Sequence, residues 1–251
     1  MITPRVAALR RQSLDAIPTI SAERAVLMTE AYRRHDGLLS APMRRALAFC
    51  YVMEHRTIVI GAGELIVGEK GPAPKATPTY PELCCHTLSD LDILDSREKI
   101  PFKVSAETRG IYEKQIIPFW QGKTMRERLF AEMTDEWLAA YEAGIFTEFM
   151  EQRAPGHTVA DDKIYRRGLR DFQSDIDAAL AKLDYATDRD AFAKGEELKA
   201  MRIALDAVIR FAERHAEKAR ELANVEADPT RKVELERIAE VCARVPAHAV
   251  P

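Results

Sequence analysis

Gly63-Glu-Leu-Ile-Val-Gly-Glu-Lys-Gly-Pro-Ala-Pro-Lys-Ala-Thr-Pro-Thr-Tyr-Pro-Glu82 is the stretch on which the reading of the fold turns. Its second half carries Pro72, Pro74, Pro78 and Pro81. Each proline fixes φ and removes an N–H, so helix is excluded and an extended, polyproline-like path is predicted. Ile66 and Val67 before the prolines and Leu83 after them predict that this path docks as a rigid strap. Thr57-Ile-Val-Ile60 and Leu65-Ile-Val67 are short β-branched runs. Gly61-Ala-Gly63 separates them, which predicts a small hairpin or two buried strands over 57–68.

Away from this stretch the apolar spacing becomes helical. Ser21 reads as an N-cap, Ala25, Met28 and Tyr32 mark one face, and Gly37 closes a helix over 21–36. Pro42 suits the first turn of a second helix running to about Arg56. Ser105 caps a helix predicted to end near Pro118, and Thr124 and Thr134 cap two more, through 133 and 143. Phe146, Phe149 and Met150 form an apolar cluster before the loop Arg153-Ala-Pro-Gly-His157. Apolar or small residues at 198, 201, 205, 208, 212, 219 and 222, with His215 in the missing step, predict a long helix with one buried seam. Asp228-Pro229 starts a last helix, Leu235, Ile238 and Cys242 line it, and Pro246 ends it. The seam is too short to favour a dimerising coiled coil over packing within the chain, and a homodimer stays as the alternative. The chain is thus read as mainly α with a few short strands near 57–68.

Composition excludes several classes. A net charge of −3 over 251 residues gives no electrostatic reason to expect nucleic acid or an anionic membrane as partner. No apolar run approaches the roughly 20 residues of a membrane helix, the N-terminus does not read as a signal peptide, and four Cys do not make a disulfide framework. A cytoplasmic location follows as the expectation. Gly61, Gly63 and Gly68 miss the spacing of a nucleotide loop. Cys84-Cys85-His86 lacks a second ligand pair, so no metal is expected and a structural Cys is the reading. No metalloprotease His pair and no serine-hydrolase elbow occurs. Glu151, Asp161 and Asp162 read as a solvated acidic face rather than an acid–base pair. His157 follows Pro155-Gly156 on a loop that can present it into a cavity.

Together these motifs resemble the pyruvate formate-lyase domain of glycyl radical enzymes. The resemblance rests on Gly63–Glu82 continued by Leu83-Cys-Cys-His-Thr-Leu88, on Ile111-Tyr-Glu-Lys-Gln-Ile-Ile-Pro-Phe-Trp120 followed by Gly122-Lys-Thr-Met-Arg-Glu-Arg128, and on Glu151-Gln-Arg-Ala-Pro-Gly-His-Thr158 with Lys163–Gly168. The end, Cys242–His248, also looks like a family segment. The wording around 69–86 and 148–168 is most similar to the sulfite-lyases of isethionate and related hydroxy-sulfonates, within a branch that also holds dehydratases of glycerol, propanediol and hydroxyproline. The resemblance implies a ten-stranded α/β barrel with surrounding helices, to which residues 1–251 contribute an N-terminal part.

It also implies an organic glycyl radical installed by a radical S-adenosylmethionine activating enzyme, no directly bound cofactor, and a small-molecule substrate in anaerobic metabolism. A thiyl radical on a Cys then abstracts hydrogen from the substrate, while a neighbouring Glu transfers a proton as the adjacent group leaves. The two motifs that carry this chemistry, Gly-Cys-x-Glu and Arg-Val-x-Gly, are absent from the 251 residues: Cys50, Cys84, Cys85 and Cys242 do not fit the first, and Arg244-Val245 is followed by Pro246-Ala247. No catalytic residue is therefore assigned. The expectation is the first third of a longer enzyme that cleaves the C–S bond of isethionate or a related hydroxy-sulfonate and releases sulfite, with a radical dehydratase of glycerol, propanediol or hydroxyproline and a non-catalytic helical protein as the rivals. Substrate binding is expected from the 153–157 loop, with Arg153 clamping a sulfonate or carboxylate and His157 hydrogen-bonding a hydroxyl or oxyanion. An ion pair with Glu148 or Glu151 is the structural alternative for Arg153.

Overall fold

The computed structural model describes residues 2–35, 37, 39–146 and 161–249. Helices dominate it, as expected. They are α1 (Pro4–Asp15), α2 (Glu23–Arg34), α3 (Ala41–His55), α4 (Leu88–Ser96), α5 (Ala106–Ile111), α6 (Ile117–Trp120), α7 (Met125–Ala131), α8 (Asp135–Glu142), α9 (Leu169–Leu180), α10 (Ala191–Val225) and α11 (Pro229–Arg244). Among the described residues no helix is long and apolar enough to cross a membrane.

The strands are not where the β-branched runs placed them. Residues 57–68 hold no strand; β1 (Thr19–Ser21) pairs in parallel with β2 (Ala76–Pro78), which lies inside the proline stretch. The reason is tertiary. Residues 57–68 run alone over the last two helices, where Ile60 and Val67 pack on Ala219, Ala223, Leu235 and Ile238. Arg231 supplies what a ladder would have supplied, donating to the carbonyls of Glu64 (2.7 Å) and Gly61 (3.2 Å). Ile60 and Val67 thus fit a helical surface instead of a sheet, whereas Ile66, expected to dock, is 91% exposed. The proline stretch is a docked strap as predicted. At its start Gly71 has no room for a side chain, since a Cβ would lie 1.9 Å from the Ala76 carbonyl oxygen.

Two further expectations move by a few residues. Ser21 ends β1, and Ala22 takes the cap position of α2, although Ser21 Oγ still accepts from the Glu23 N–H at 3.3 Å. The helix begun at Ser105 does not stop at Pro118 but continues to Trp120 through a π-helical segment, Tyr112–Ile116. Widening the turn places Pro118 at the start of a new helical register, where its missing N–H is tolerated. Helix α4 is not among the expected helices, although Leu88, Leu91 and Leu94 recur every three residues and pack in the main core. Its capping box, Thr87 with Asp90, is a further local signal of it.

The main core gathers Ala25, Met28, Val52, Leu91, Tyr112, Ile116 and Trp120 from α2, α3, α4 and the 106–120 helix. Its polar atoms are partnered. Trp120 Nε1 donates to Thr29 Oγ1 (2.9 Å), which donates to the Ala25 carbonyl (2.7 Å), and the Tyr112 hydroxyl donates to Thr79 Oγ1 (2.6 Å). The long helix α10 packs against α3, α9 and α11. Its burial is wider than one seam: Ala200, Ala207, Ile209, His215, Ala216, Ala219 and Ala223 are buried, whereas Met201 is exposed. A helix held on several sides buries small residues on more than one face, and a single-stripe pattern misses them.

Candidate functional site

The two residues expected to bind substrate, Arg153 and His157, lie outside the described residues, as do Phe149, Met150, Glu148 and Glu151. The segments that lead into and out of this stretch are described. On the entry side α7 and α8 form an aromatic cluster. The rings of Trp137 and Tyr141 stack with centroids 5.6 Å apart, and Phe130 and Phe146 pack around them. Arg126 lies over Phe130 at 4.3 Å and donates to the Tyr141 hydroxyl at 2.8 Å. Thr124 and Glu127 close a capping box at the start of α7. Burial pushes the Glu127 carboxyl upward, but hydrogen bonds from Gly122 and Thr124 outweigh it and hold it below the ordinary range.

On the exit side a short 3₁₀ turn, Asp161–Tyr165, leads to Gly168. The Asp171 carboxylate accepts the Gly168 N–H at 3.0 Å. Leu169 and Arg170 then donate to the carbonyls of Pro246 (2.9 Å) and Ala247 (3.0 Å), docking α9 on the segment after α11. Gly168 is required by this close approach, because a Cβ there would lie 2.3 Å from the Ala247 oxygen.

A second feature was not assigned a role from sequence. A cleft of about 340 Å³ opens between α2, α3, the end of the strap and the 120–128 turn. Arg24, Arg44, Arg45, Lys123 and Arg128 line it against one carboxylate, Glu82. Arg24 is fully engaged: its fork meets Glu82 at 2.5 and 3.1 Å, it donates to the Thr79 carbonyl at 3.0 Å, and it lies over the Tyr80 ring at 3.9 Å. Among the described residues no carboxylate pairs with Arg44, Arg45 or Arg128. Arg44 lies over the Tyr32 ring at 5.2 Å. Burial, then Glu82, raises the Tyr32 phenol, with Arg44, Arg45 and Arg128 pulling the other way. The sequence signals were the adjacent pair Arg44-Arg45 and the Gly122–Arg128 motif, whose charges converge only after folding.

The thiols are poor ionic reagents. Burial, with Glu54 beside it, pushes Cys50 up to about 11, and burial, with Glu127 and Asp90 near, pushes Cys85 up to about 12. Burial raises Cys242 as well. These three thiols stay protonated at neutral pH, which suits packing rather than nucleophilic attack or metal ligation. Among the described residues no group of three or more His, Cys, Asp or Glu is placed to hold a metal ion. An apolar cleft of about 530 Å³ lies beside the strap, with Tyr80, Cys84, His86 and Phe102 in its wall.

Residues 2–250 match the family model described as pyruvate formate lyase-like. The chain is 53% identical over 97% of its length to the trans-4-hydroxy-L-proline dehydratase of Clostridioides difficile, covering 31% of that protein. It is 35% identical over 91% of its length to the isethionate sulfite-lyase of Nitratidesulfovibrio vulgaris, covering 29% of it. The crystal structure of the C. difficile hydroxyproline dehydratase, with substrate trans-4-hydroxy-L-proline bound, superposes with a TM-score of 0.94 at 52% identity, over 99% of this chain and 31% of that one. The chain therefore spans a little under a third of the length of these relatives. It belongs to the pyruvate formate lyase-like family, whose matched members are glycyl radical lyases and dehydratases.

Proposed function

We propose that this family member is the N-terminal portion of a glycyl radical dehydratase that removes a hydroxyl group from a carboxylated substrate of the 4-hydroxyproline class. The observation that carries the reading is the identity of 53% to the hydroxyproline dehydratase against 35% to the isethionate lyase, over nearly the same residues. The loop chemistry is compatible with both substrates, since each bears one acidic group and one hydroxyl. Arg153 pairs with the acidic group through its planar fork, and His157 hydrogen-bonds the hydroxyl. Neither the radical Gly nor the thiyl Cys is among these residues, so this portion's part in the reaction is to bind and orient substrate and to exclude water. A radical S-adenosylmethionine activating enzyme is the partner that the reaction requires.

The test is an anaerobic assay of the native protein, activated by its own activating enzyme and offered each substrate separately. The expected result is a product lighter than trans-4-hydroxy-L-proline by one water, with no sulfite released from isethionate. Arg153→Ala is expected to raise KM for the carboxylated substrate about ten- to a hundredfold, the worth of a charge-assisted hydrogen bond. Sulfite release without hydroxyproline turnover would restore the sulfonate reading. Unchanged KM and kcat in the variant would remove Arg153 from the site.

A further inference from the structure

The cationic cleft has a composition that the described residues do not complete. Glu82 is spent on Arg24, and Arg44, Arg45 and Arg128 line the same cleft with no carboxylate partner among the described residues. Arg45 and Arg128 are exposed at its rim, and Arg44 is half-buried with its Nε enclosed and without a hydrogen-bond partner. Like charges gathered around a concavity repel one another, and the low-dielectric wall beneath them strengthens that repulsion. An anionic occupant would reverse the sign of the interaction. The wall and floor beneath the charges, formed by Met28, Tyr32, Phe49, Trp120 and Met125, are apolar or aromatic.

This pairing of a cationic rim with an apolar floor discriminates between occupants. A free phosphate or other small inorganic anion would use the guanidinium groups and leave the floor wet. A polypeptide segment with two or more Asp or Glu flanking an apolar side chain would use both. We infer that the cleft docks such an acidic segment from the remainder of the pyruvate formate lyase-like domain. The inference rests on the proposed reading that this chain is one portion of a longer enzyme, and on relatives in which about 69% or more of the length lies outside the matched region. Charge complementarity fixes the class of segment: Arg44, Arg45 and Arg128 each call for a carboxylate that the described residues do not supply.

The test uses the native-length protein with R45K or R128K, which places a primary amine at the rim of the cleft. A zero-length carbodiimide reagent joins that amine to a carboxylate in direct contact, and digestion with mass spectrometry identifies the joined peptide. The expected result is an amide link from the introduced amine to an acidic peptide outside residues 1–251, reduced severalfold in 1 M salt. Links only to carboxylates within residues 1–251, in the same or a second copy, overturn the inference. So does the absence of any link, with saturable binding of inorganic phosphate that R45A/R128A abolishes marking a small-anion site instead. A native protein with no residues beyond the 251 would be seen first in its intact mass and would remove the proposed function as well. A longer protein without the link removes the docking alone.

Discussion

Gly168 shows how one residue without a side chain sets the exit from the candidate site. Its backbone lies against Ala247 and His248, with space for hydrogen alone. Gly168→Ala must push the start of α9 off the 246–247 carbonyls, and overpacking of this kind costs about 1–3 kcal/mol. Gly110 is the control. A Cβ there meets nothing within 4 Å, and it lies within a helix. Gly110→Ala is expected to leave stability unchanged or raise it by about 0.4–1 kcal/mol. Denaturant midpoints of the two variants check this, and equal shifts would contradict it. Neither constraint was legible in the sequence, because Gly168 stands there only as the end of the Lys163–Gly168 motif and its neighbours at 246–248 are distant along the chain. Arg153 and His157 were legible only as a loop with suitable chemistry, and they lie outside the described residues.

At the scale of elements, the strap over 57–82 teaches the most. Its prolines were sufficient to exclude helix and to predict an extended docked path. Its β-branched runs misled, because branched side chains suit any flat apolar contact, including a pair of helices. What decides the outcome is the source of hydrogen bonds for the extended backbone, and over 61–64 a main source is Arg231, some 167–170 residues away. Replacing it tests the account. Arg231→Met keeps the apolar stem but leaves the Glu64 carbonyl without its donor, the Gly61 carbonyl with only the Glu64 N–H at 3.3 Å, and Glu234 without one partner. The expected loss is about 1–3 kcal/mol, with faster proteolytic cutting within 57–68. An unchanged midpoint and unchanged protection would mean that packing of Ile60 and Val67 alone holds the strap. Caps were the most legible elements: Ser105, Thr124, Thr134 and Asp228 accept backbone N–H groups at the starts of their helices, as read from sequence. Missed were α4, although Leu88, Leu91 and Leu94 recur every three residues, and the full burial of α10, where alanines on several faces blur the periodicity.

At the scale of the molecule, family and helical fold were carried by motifs spread from residue 63 to residue 248, and the substrate was not. Those motifs shape a shared scaffold, whereas substrate choice is made by a few groups in a pocket to which this chain brings only some. Among the described residues Ile66 is 91% exposed, Val225 80%, Ile145 76% and Phe192 71%, and Arg44, Arg45 and Arg128 have no carboxylate partner. The central claim, that this chain is one portion of a glycyl radical dehydratase, is tested most directly by the intact mass and peptide map of the native protein. The account predicts a mass well above 28.3 kDa, with further peptides bearing the Gly-Cys-x-Glu and Arg-Val-x-Gly motifs. A native mass of 28.3 kDa, with neither motif present, would contradict it and leave a binding role in place of the radical chemistry.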